Sequence, residues 1–274
     1  MKFGVLGPLF MRDGSASRLP SAPKTRQLLS LLLFHANSQV SLDACVHELW
    51  DEAIPRSAVQ SIHTRVFQLR QALAASPSVG SMEEAKSILE THHNGYSLRV
   101  APGEIDLHLL DDHLQDIRGA QAAEEDLLLS SKLRSALGLW RGPTLVDVEH
   151  GPQLQAYVTG MEGRRLMLLE QCIDAQLRLG QHHELLAELS RLVFQYPSHE
   201  NLHAQYMIAL YRSGRAAQAL AEYQRLRVRL TGELGMEPSS KLRRLQTAIL
   251  AESSELVVRP TSNTKLSLDL IGTR

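Results

Sequence analysis

The 274-residue chain has few cysteines, few aromatic residues and no long apolar run. Its two cysteines, Cys45 and Cys172, are far apart and lack metal-ligand spacing, which excludes a disulfide framework and a cysteine-rich zinc module. No uncharged stretch reaches the roughly 18 residues of a membrane span. Met1–Phe10 is too short for a signal-peptide core and lacks a cleavage site. We therefore expect a soluble cytoplasmic protein without membrane, metal or cofactor.

An excess of charge of one sign is also missing. The chain has 29 lysines and arginines against 30 aspartates and glutamates. Residues 1–100 carry ten basic and eight acidic side chains, a net charge of +2, and the remainder carries a net charge of −3. This balance excludes a protein that coats nucleic acid through a general basic surface. Any surface for nucleic acid must be local.

Residues 1–100 change pattern within short distances. Asn94-Gly95 is the strongest short signal for a hairpin, and Ser41 is a good N-cap for a helix that follows it. The patterns predict two strands at 3–6 and 9–11, three helices at 24–36, 42–50 and 57–75, and a hairpin at 88–100. This order predicts a winged helix-turn-helix domain with an N-terminal sheet.

The third predicted helix has two distinct faces. Its apolar stripe consists of Val59, Ile62, Val66, Leu69 and Leu73. The opposite face carries Gln60, Thr64, Phe67, Gln68 and Gln71. A helix in the major groove reads base edges with its outward face, where glutamine pairs with adenine and the threonine methyl packs on thymine. We therefore expect Gln60, Thr64 and Gln68 to read bases.

Cations lie at the margins of this face. Arg65 and Arg70 are predicted to bind phosphates, which supply affinity and salt sensitivity. Lys24 and Arg26 open the first helix, where contact with the DNA backbone and simple solvation are equally expected. His92 stands in the hairpin, the predicted wing, and neutral histidine is a weaker partner for phosphate than arginine.

From residue 104 to 252 the pattern is helical and repeats. Arg178-Leu179-Gly180 returns 34 residues later as Arg212-Ser213-Gly214, and Leu186-Ala187-Glu188 returns as Leu220-Ala221-Glu222. This period is that of the tetratricopeptide repeat, a pair of antiparallel helices. The chain is thus predicted to be mainly α with a small β content. Its expected parts are a winged helix at 1–100, a tetratricopeptide-like domain at 104–252 and a tail at 253–274, with a flexible joint at 101–103.

One motif suggests an enzyme. His199-Glu200-Asn201-Leu202-His203 has the H-E-x-x-H pattern with which zinc peptidases bind their metal. The preceding Pro197-Ser198 places His199 in the first turn of a repeat helix. There the carboxylate of Glu200 is stabilised by the positive end of the helix dipole. No glycine-spaced third histidine follows. We expect a protein that is not an enzyme.

Several motifs, in order along the chain, resemble one known family. In the first half they are Pro23-Lys24-x-Arg26-x-Leu28-Leu29, His47-x-Leu49-Trp50, Val66-Phe67-Gln68-Leu69-Arg70 and Asn94-Gly95-Tyr96-x-Leu98. In the second half they are Leu139-Trp140-Arg141-Gly142-Pro143-x-Leu145-x-Asp147, Leu210-Tyr211-Arg212-x-Gly214-Arg215 and Glu233-Leu234-Gly235-x-Glu237-Pro238. They resemble the Streptomyces antibiotic regulatory proteins of the short type, in which an OmpR-like winged helix-turn-helix precedes a bacterial transcriptional activation domain.

The resemblance covers about residues 1–252 and implies a function. It implies an activator of a secondary-metabolite gene cluster that binds tandem direct repeats in promoter DNA as a homodimer, recruits RNA polymerase holoenzyme through its sigma factor and is associated with the nucleoid. It also implies that Thr64 and Gln68 approach bases. Wings of this family usually carry an arginine where His92, His93 and Asn94 stand here. That departure leaves an alternative, a helical-repeat signalling adaptor whose DNA binding is weak or vestigial.

Overall fold

The computed structural model describes residues 1–253 and residue 256. The chain divides into two compact units. Unit 1 comprises residues 1–118 and 134–167, and unit 2 comprises residues 119–133 and the described residues from 168 onward. Along the described part of the chain, no helix is both long and apolar enough to cross a membrane. The tail predicted at 253–274 lies outside the described residues except for Ser253 and Leu256.

Unit 1 begins with a small antiparallel sheet of three strands in chain order. The strands are β1 (Lys2–Gly4), β2 (Phe10–Asp13) and β3 (Ala16–Ser17). Phe3 lies opposite Met11, and both side chains are buried. The first two strands confirm the prediction from the short apolar runs. The third follows the turn at Gly14, whose φ of 57° is the left-handed conformation that glycine adopts without strain.

The helices of the winged helix-turn-helix follow in the predicted order, with one addition. They are α1 (Pro23–Phe34), α2 (Leu42–Trp50), α3 (Ala58–Ala74) and α4 (Met82–Ile88). The Ser41 hydroxyl accepts the Ala44 N–H at 3.1 Å and caps α2, as the sequence predicts. Helix α4 was not predicted. Its signal was the capping pattern in which Ser81 accepts the Glu84 N–H at 3.1 Å.

The predicted hairpin forms the second sheet of unit 1. It consists of β5 (Leu89–His92) and β6 (Gly95–Leu98), and β6 also pairs with β4 (Gln39–Ser41) in the strand order β4-β6-β5. Gly95 lies so close to β4 that a Cβ atom would stand 2.0 Å from the Val40 carbonyl oxygen. Only glycine fits this position. The hairpin is therefore fixed against the strand that precedes α2.

Most of the predicted apolar stripe of α3 is buried, but Val59 is not. Ile62, Val66, Leu69 and Leu73 lie in the core of unit 1, whereas the side chain of Val59 is 46% exposed. At 100° per residue Val59 lies about 50° from the centre of the stripe, on the side that turns outward. The buried position in the first turn belongs to Ala58. The prediction that Val59 faces the core is wrong.

The rest of the described chain is helical. Its helices are α5 (Asp106–Ala122), α6 (Asp126–Leu137), α7 (Pro152–Arg178), α8 (His182–Gln195), α9 (Glu200–Arg212), α10 (Ala216–Leu234) and α11 (Ser240–Leu250). Helices α8 and α10 begin 34 residues apart, each just after a glycine with positive φ, Gly180 at 80° and Gly214 at 74°. Helix α9 packs against both. This is the predicted repeat of helix pairs.

The compact units do not coincide with the predicted domains, because residues 104–118 and 134–167 of the predicted helical domain belong to unit 1. Leu145 and Leu154, which the sequence places in the helical domain 104–252, belong to the apolar core of unit 1. Residues 134–167 therefore pack with the winged helix. The division into domains at 1–100 and 104–252 stays a prediction.

Candidate nucleic-acid interface

The outward face of α3 is exposed and carries no negative charge. Gln60, His63 and Thr64 are exposed, and none of the 17 residues of α3 is an aspartate or glutamate. The Thr64 hydroxyl donates to the Gln60 carbonyl at 3.0 Å. Because the backbone carbonyl takes the O–H donor, Thr64 offers a partner its methyl group and the lone pairs of its hydroxyl oxygen. A helix without carboxylates approaches phosphates without repulsion.

Gln68 is half-buried, and its amide is oriented by α1. The hydroxyl of Thr25, a buried residue of α1, donates to Gln68 Oε1 at 2.7 Å. This bond fixes the side chain and directs its amide nitrogen away from Thr25. The N–H groups of Gln68 are therefore suited to the acceptors on purine edges in a major groove.

Arg70 links α3 to the hairpin. Its Nε and Nη2 donate to the Leu89 carbonyl at 3.0 and 2.6 Å, and Nη2 also donates to the Thr91 hydroxyl at 2.7 Å. Burial lowers the pKa of this guanidinium. The arginine expected to bind phosphate thus has a positioning role between α3 and β5. Arg65 is partly exposed, and its Nη1 lies 3.5 Å from the Ser61 carbonyl.

The hairpin pairs its own charges. His92 Nε2 lies 2.8 Å from the Ser97 hydroxyl, on the neighbouring strand. Glu90 lies 3.6 Å from the same nitrogen and binds Arg99 at 2.9 Å. His92 is therefore oriented along the hairpin. The exposed residues at the tip of the hairpin are His93 and Asn94.

The two cations of α1 have acidic partners. Lys24 Nζ donates to the Leu49 carbonyl at 2.7 Å and lies 3.5 Å from Glu149. Arg26 forms an ion pair with Asp147. Both acids lie more than 120 residues along the chain, so the sequence pattern around α1 gave no sign of them. Contact of these two cations with the DNA backbone stays a prediction.

Asp147 ends a segment that fastens the N-terminal sheet. It accepts the Leu9 N–H at 2.8 Å, and Arg141 of the same segment donates to the Pro8 carbonyl at 2.7 Å. Arg141 also lies over the Phe10 ring, 4.4 Å from its centroid. The motif Leu139–Asp147, which the sequence associates with an activation domain, therefore holds the first sheet in place within unit 1.

Two buried carboxylates complete this attachment. Asp106 accepts the N–H groups of Val5 and Leu6, each at 2.9 Å, and pairs with Arg141 at 3.1 Å. Burial raises the pKa of Asp106 despite these bonds. Glu48 of α2 accepts the backbone N–H groups of Gly151 at 2.7 Å, Gln153 at 2.9 Å and Leu154 at 3.2 Å, and so caps the start of α7.

The segment predicted as a flexible joint is held by hydrogen bonds. The Lys2 ammonium donates to the Gly103 carbonyl at 2.7 Å, and the Ala101 N–H donates to Glu104 at 3.1 Å. The N-terminal amine also binds Glu104 at 2.7 Å. Residues 101–103 lie within unit 1 rather than between the units.

The two histidines and the glutamate of the H-E-x-x-H motif each contact a different residue of unit 2. His199 lies 3.0 Å from Glu170, His203 lies 2.7 Å from Glu222, and Glu200 accepts the Ser239 N–H at 2.8 Å. Across the described residues, no three histidine, cysteine or acidic side chains are grouped to hold a metal ion. The motif therefore stabilises helix packing around α9.

Comparison with known proteins identifies relatives of this chain. The family model described as bacterial transcriptional activator domain matches residues 105–250. Regulatory protein DnrI of Streptomyces peucetius is 41% identical over 250 residues, which are 91% of this chain and 92% of DnrI. Transcriptional regulator RedD of Streptomyces coelicolor is 32% identical over 94% of this chain and 73% of RedD.

A solved structure has the same fold. It is that of Mycobacterium tuberculosis EmbR in complex with a low affinity phosphopeptide, and it matches with a TM-score of 0.83 at 31% identity. The match covers 92% of this chain and 65% of the EmbR chain. The phosphopeptide is a ligand of EmbR, about a third of which has no counterpart here.

Proposed function

Because the chain belongs to the family of Streptomyces antibiotic regulatory proteins, we propose that it binds promoter DNA through α3 and the hairpin β5–β6 and activates the genes of an antibiotic biosynthetic cluster. The family and these relatives are transcriptional regulators and not enzymes. The observation that carries the proposal is the exposed, carboxylate-free face of α3. A regulator of this kind acts in the cytoplasm, at the nucleoid.

Helix α3 lies in the major groove in this proposal. Gln60, Thr64 and Gln68 contact base edges, and Arg65 binds a phosphate at the margin. Arg70 orients the hairpin so that its tip reaches the adjacent minor groove. Two copies bind as a dimer on tandem direct repeats, spaced by about one helical turn of DNA.

The proposed contact with RNA polymerase holoenzyme lies on unit 2. A groove between α8 and α10 is lined by Phe194 and Val228, whose side chains are 88% and 70% exposed, and by the exposed Arg191. Exposed apolar side chains that adjoin a cation are typical of protein-binding surfaces. We assign this groove to the sigma factor of the holoenzyme. The variant Phe194→Ser is expected to abolish activation in a run-off transcription assay while its affinity for promoter DNA stays unchanged.

DNA binding is tested by selection from a random duplex library with the purified full chain. We expect enrichment of a short motif repeated in tandem. A titration of the selected duplex is expected to weaken with salt, with a log–log slope near −5 if about six phosphates are neutralised. A pool that remains unenriched at low salt would contradict the proposal and favour the adaptor.

A further inference from the structure

Phe67 is an exposed aromatic side chain in a chain that has few of them. The chain has five phenylalanines. Phe3 is buried, Phe10 lies under a guanidinium, Phe34 stacks on Tyr157, and Phe194 lines the groove between α8 and α10. Phe67, in contrast, is 53% exposed, and no aromatic ring or cation among the described residues stacks on it. Packing within the described part of the chain does not account for a phenylalanine at this position.

Phe67 lies on the exposed face of α3, next to the proposed reading residues. At 100° per residue it lies about 20° from Gln60 and about 40° from Gln71, on the side opposite the buried stripe. Its neighbours on this face are therefore polar side chains that donate or accept hydrogen bonds. A partner that covers this face therefore meets a flat apolar ring beside polar side chains.

We propose that Phe67 reads a thymine by packing its ring against the C5 methyl group in the major groove. The inference rests on the proposed function of α3. Among the four bases, thymine alone presents a methyl group at the major-groove edge, beside its O4 acceptor. The other bases present only hydrogen-bonding atoms there, which a phenyl ring leaves unsatisfied. A phenylalanine beside Gln60 and Thr64 on the exposed face of α3 thus selects thymine and disfavours the other bases.

The test replaces single thymines by uracil in the duplex selected by the wild-type chain. Uracil keeps the pairing and the O4 acceptor and lacks only the methyl group. The loss of one buried methyl-sized group predicts about fourfold weaker binding by the wild type at one thymine of each repeat. In Phe67→Ala the same replacement is expected to have no effect. Affinities are measured by fluorescence anisotropy on single-repeat and tandem duplexes.

Leu127→Ala is the control, since it removes an exposed apolar side chain from unit 2, outside every surface assigned to DNA or to polymerase. It is expected to keep the wild-type response to uracil, and thermal unfolding is expected to be the same for both variants. A selected motif whose thymines all tolerate uracil, or a Phe67→Ala protein that responds as the wild type does, would overturn this inference and leave the proposed function intact.

Two further outcomes are distinguishable. If Phe67→Ala weakened only the tandem duplex, the ring would contact the adjacent bound copy, and the thymine assignment would be wrong. If no motif were enriched by the wild type, the inference and the proposed function would fail together.

Discussion

Helices α1 and α3 pack against each other in unit 1, yet their polar side chains serve different partners. On α1, Lys24 and Arg26 are paired with Glu149 and Asp147, so their charge is compensated inside the protein. On α3, Gln60 and Thr64 are exposed, and the helix has no acidic residue. A cation near a predicted DNA-binding helix is thus not by itself a DNA contact. Whether a cation remains available to DNA depends on whether the fold brings a carboxylate to it.

We expect the largest effect from a substitution that breaks the contact between α2 and the start of α7. Replacing the buried Glu48 by alanine leaves the N–H groups of Gly151, Gln153 and Leu154 without an acceptor. We expect a loss of about 3–5 kcal/mol in the free energy of unfolding, measured by urea denaturation.

Two controls accompany this variant. Glu48→Gln keeps the shape and one acceptor oxygen, and is expected to lose less. Glu52→Ala, at an exposed position after α2, is expected to change stability by less than about 0.5 kcal/mol. Equal stability of Glu48→Ala and Glu52→Ala would show that the carboxylate does not cap α7.

The next largest effect is expected for the proposed base-reading residues of α3. Thr64→Ala and Gln68→Ala each remove one proposed base contact, which predicts about 1–3 kcal/mol of lost discrimination. The measurement is the affinity for the selected duplex relative to duplexes with single base changes. If the relative preferences of Gln68→Ala matched those of the wild type, the reading face would lie elsewhere.

A smaller and uniform effect is expected for Arg70→Ala. The variant loses the hydrogen bonds to Leu89 and Thr91, so the hairpin is no longer oriented against α3. Binding is expected to weaken by about 1–2 kcal/mol for all sequences alike. Arg70→Lys keeps the charge without the forked geometry and is expected to behave like alanine. Full rescue by lysine would identify Arg70 as a phosphate contact instead.

The smallest effect separates the two sets of cations. Arg26→Ala is expected to leave the salt dependence of DNA binding unchanged, because Asp147 already compensates Arg26. Arg65→Ala is expected to reduce the log–log slope by about 0.9, the contribution of one phosphate contact. Equal changes in slope for the two variants would erase the distinction between α1 and α3.

The sequence predicted most elements of the winged helix because their signals are local. Ser41, the apolar spacing of α1 to α3 and Asn94-Gly95 act within a few residues, and the structure has each element there. Helix α4 was missed although Ser81 and Glu84 carry a recognisable cap. The family expectation is confirmed by the matching family model and relatives.

The partners of the site residues were beyond local reasoning. Arg26 meets an acid 121 residues away, and Arg70 binds a backbone carbonyl that no sequence motif marks. Gln68 is oriented by Thr25 across the packing of two helices. Such contacts depend on tertiary structure, so local patterns identified the residues of the face but not which of them remain available to a partner.

The most direct measurement is a set of parallel selections from one random duplex library. Three full-length proteins are compared: the wild type, Lys24→Ala/Arg26→Ala, and Gln60→Ala/Thr64→Ala/Gln68→Ala. We expect the wild type and the α1 variant to enrich the same tandem motif, and the α3 variant to enrich a different or degenerate one. An α3 variant that returns the wild-type motif, or an α1 variant that loses it, would contradict the assignment of sequence reading to α3.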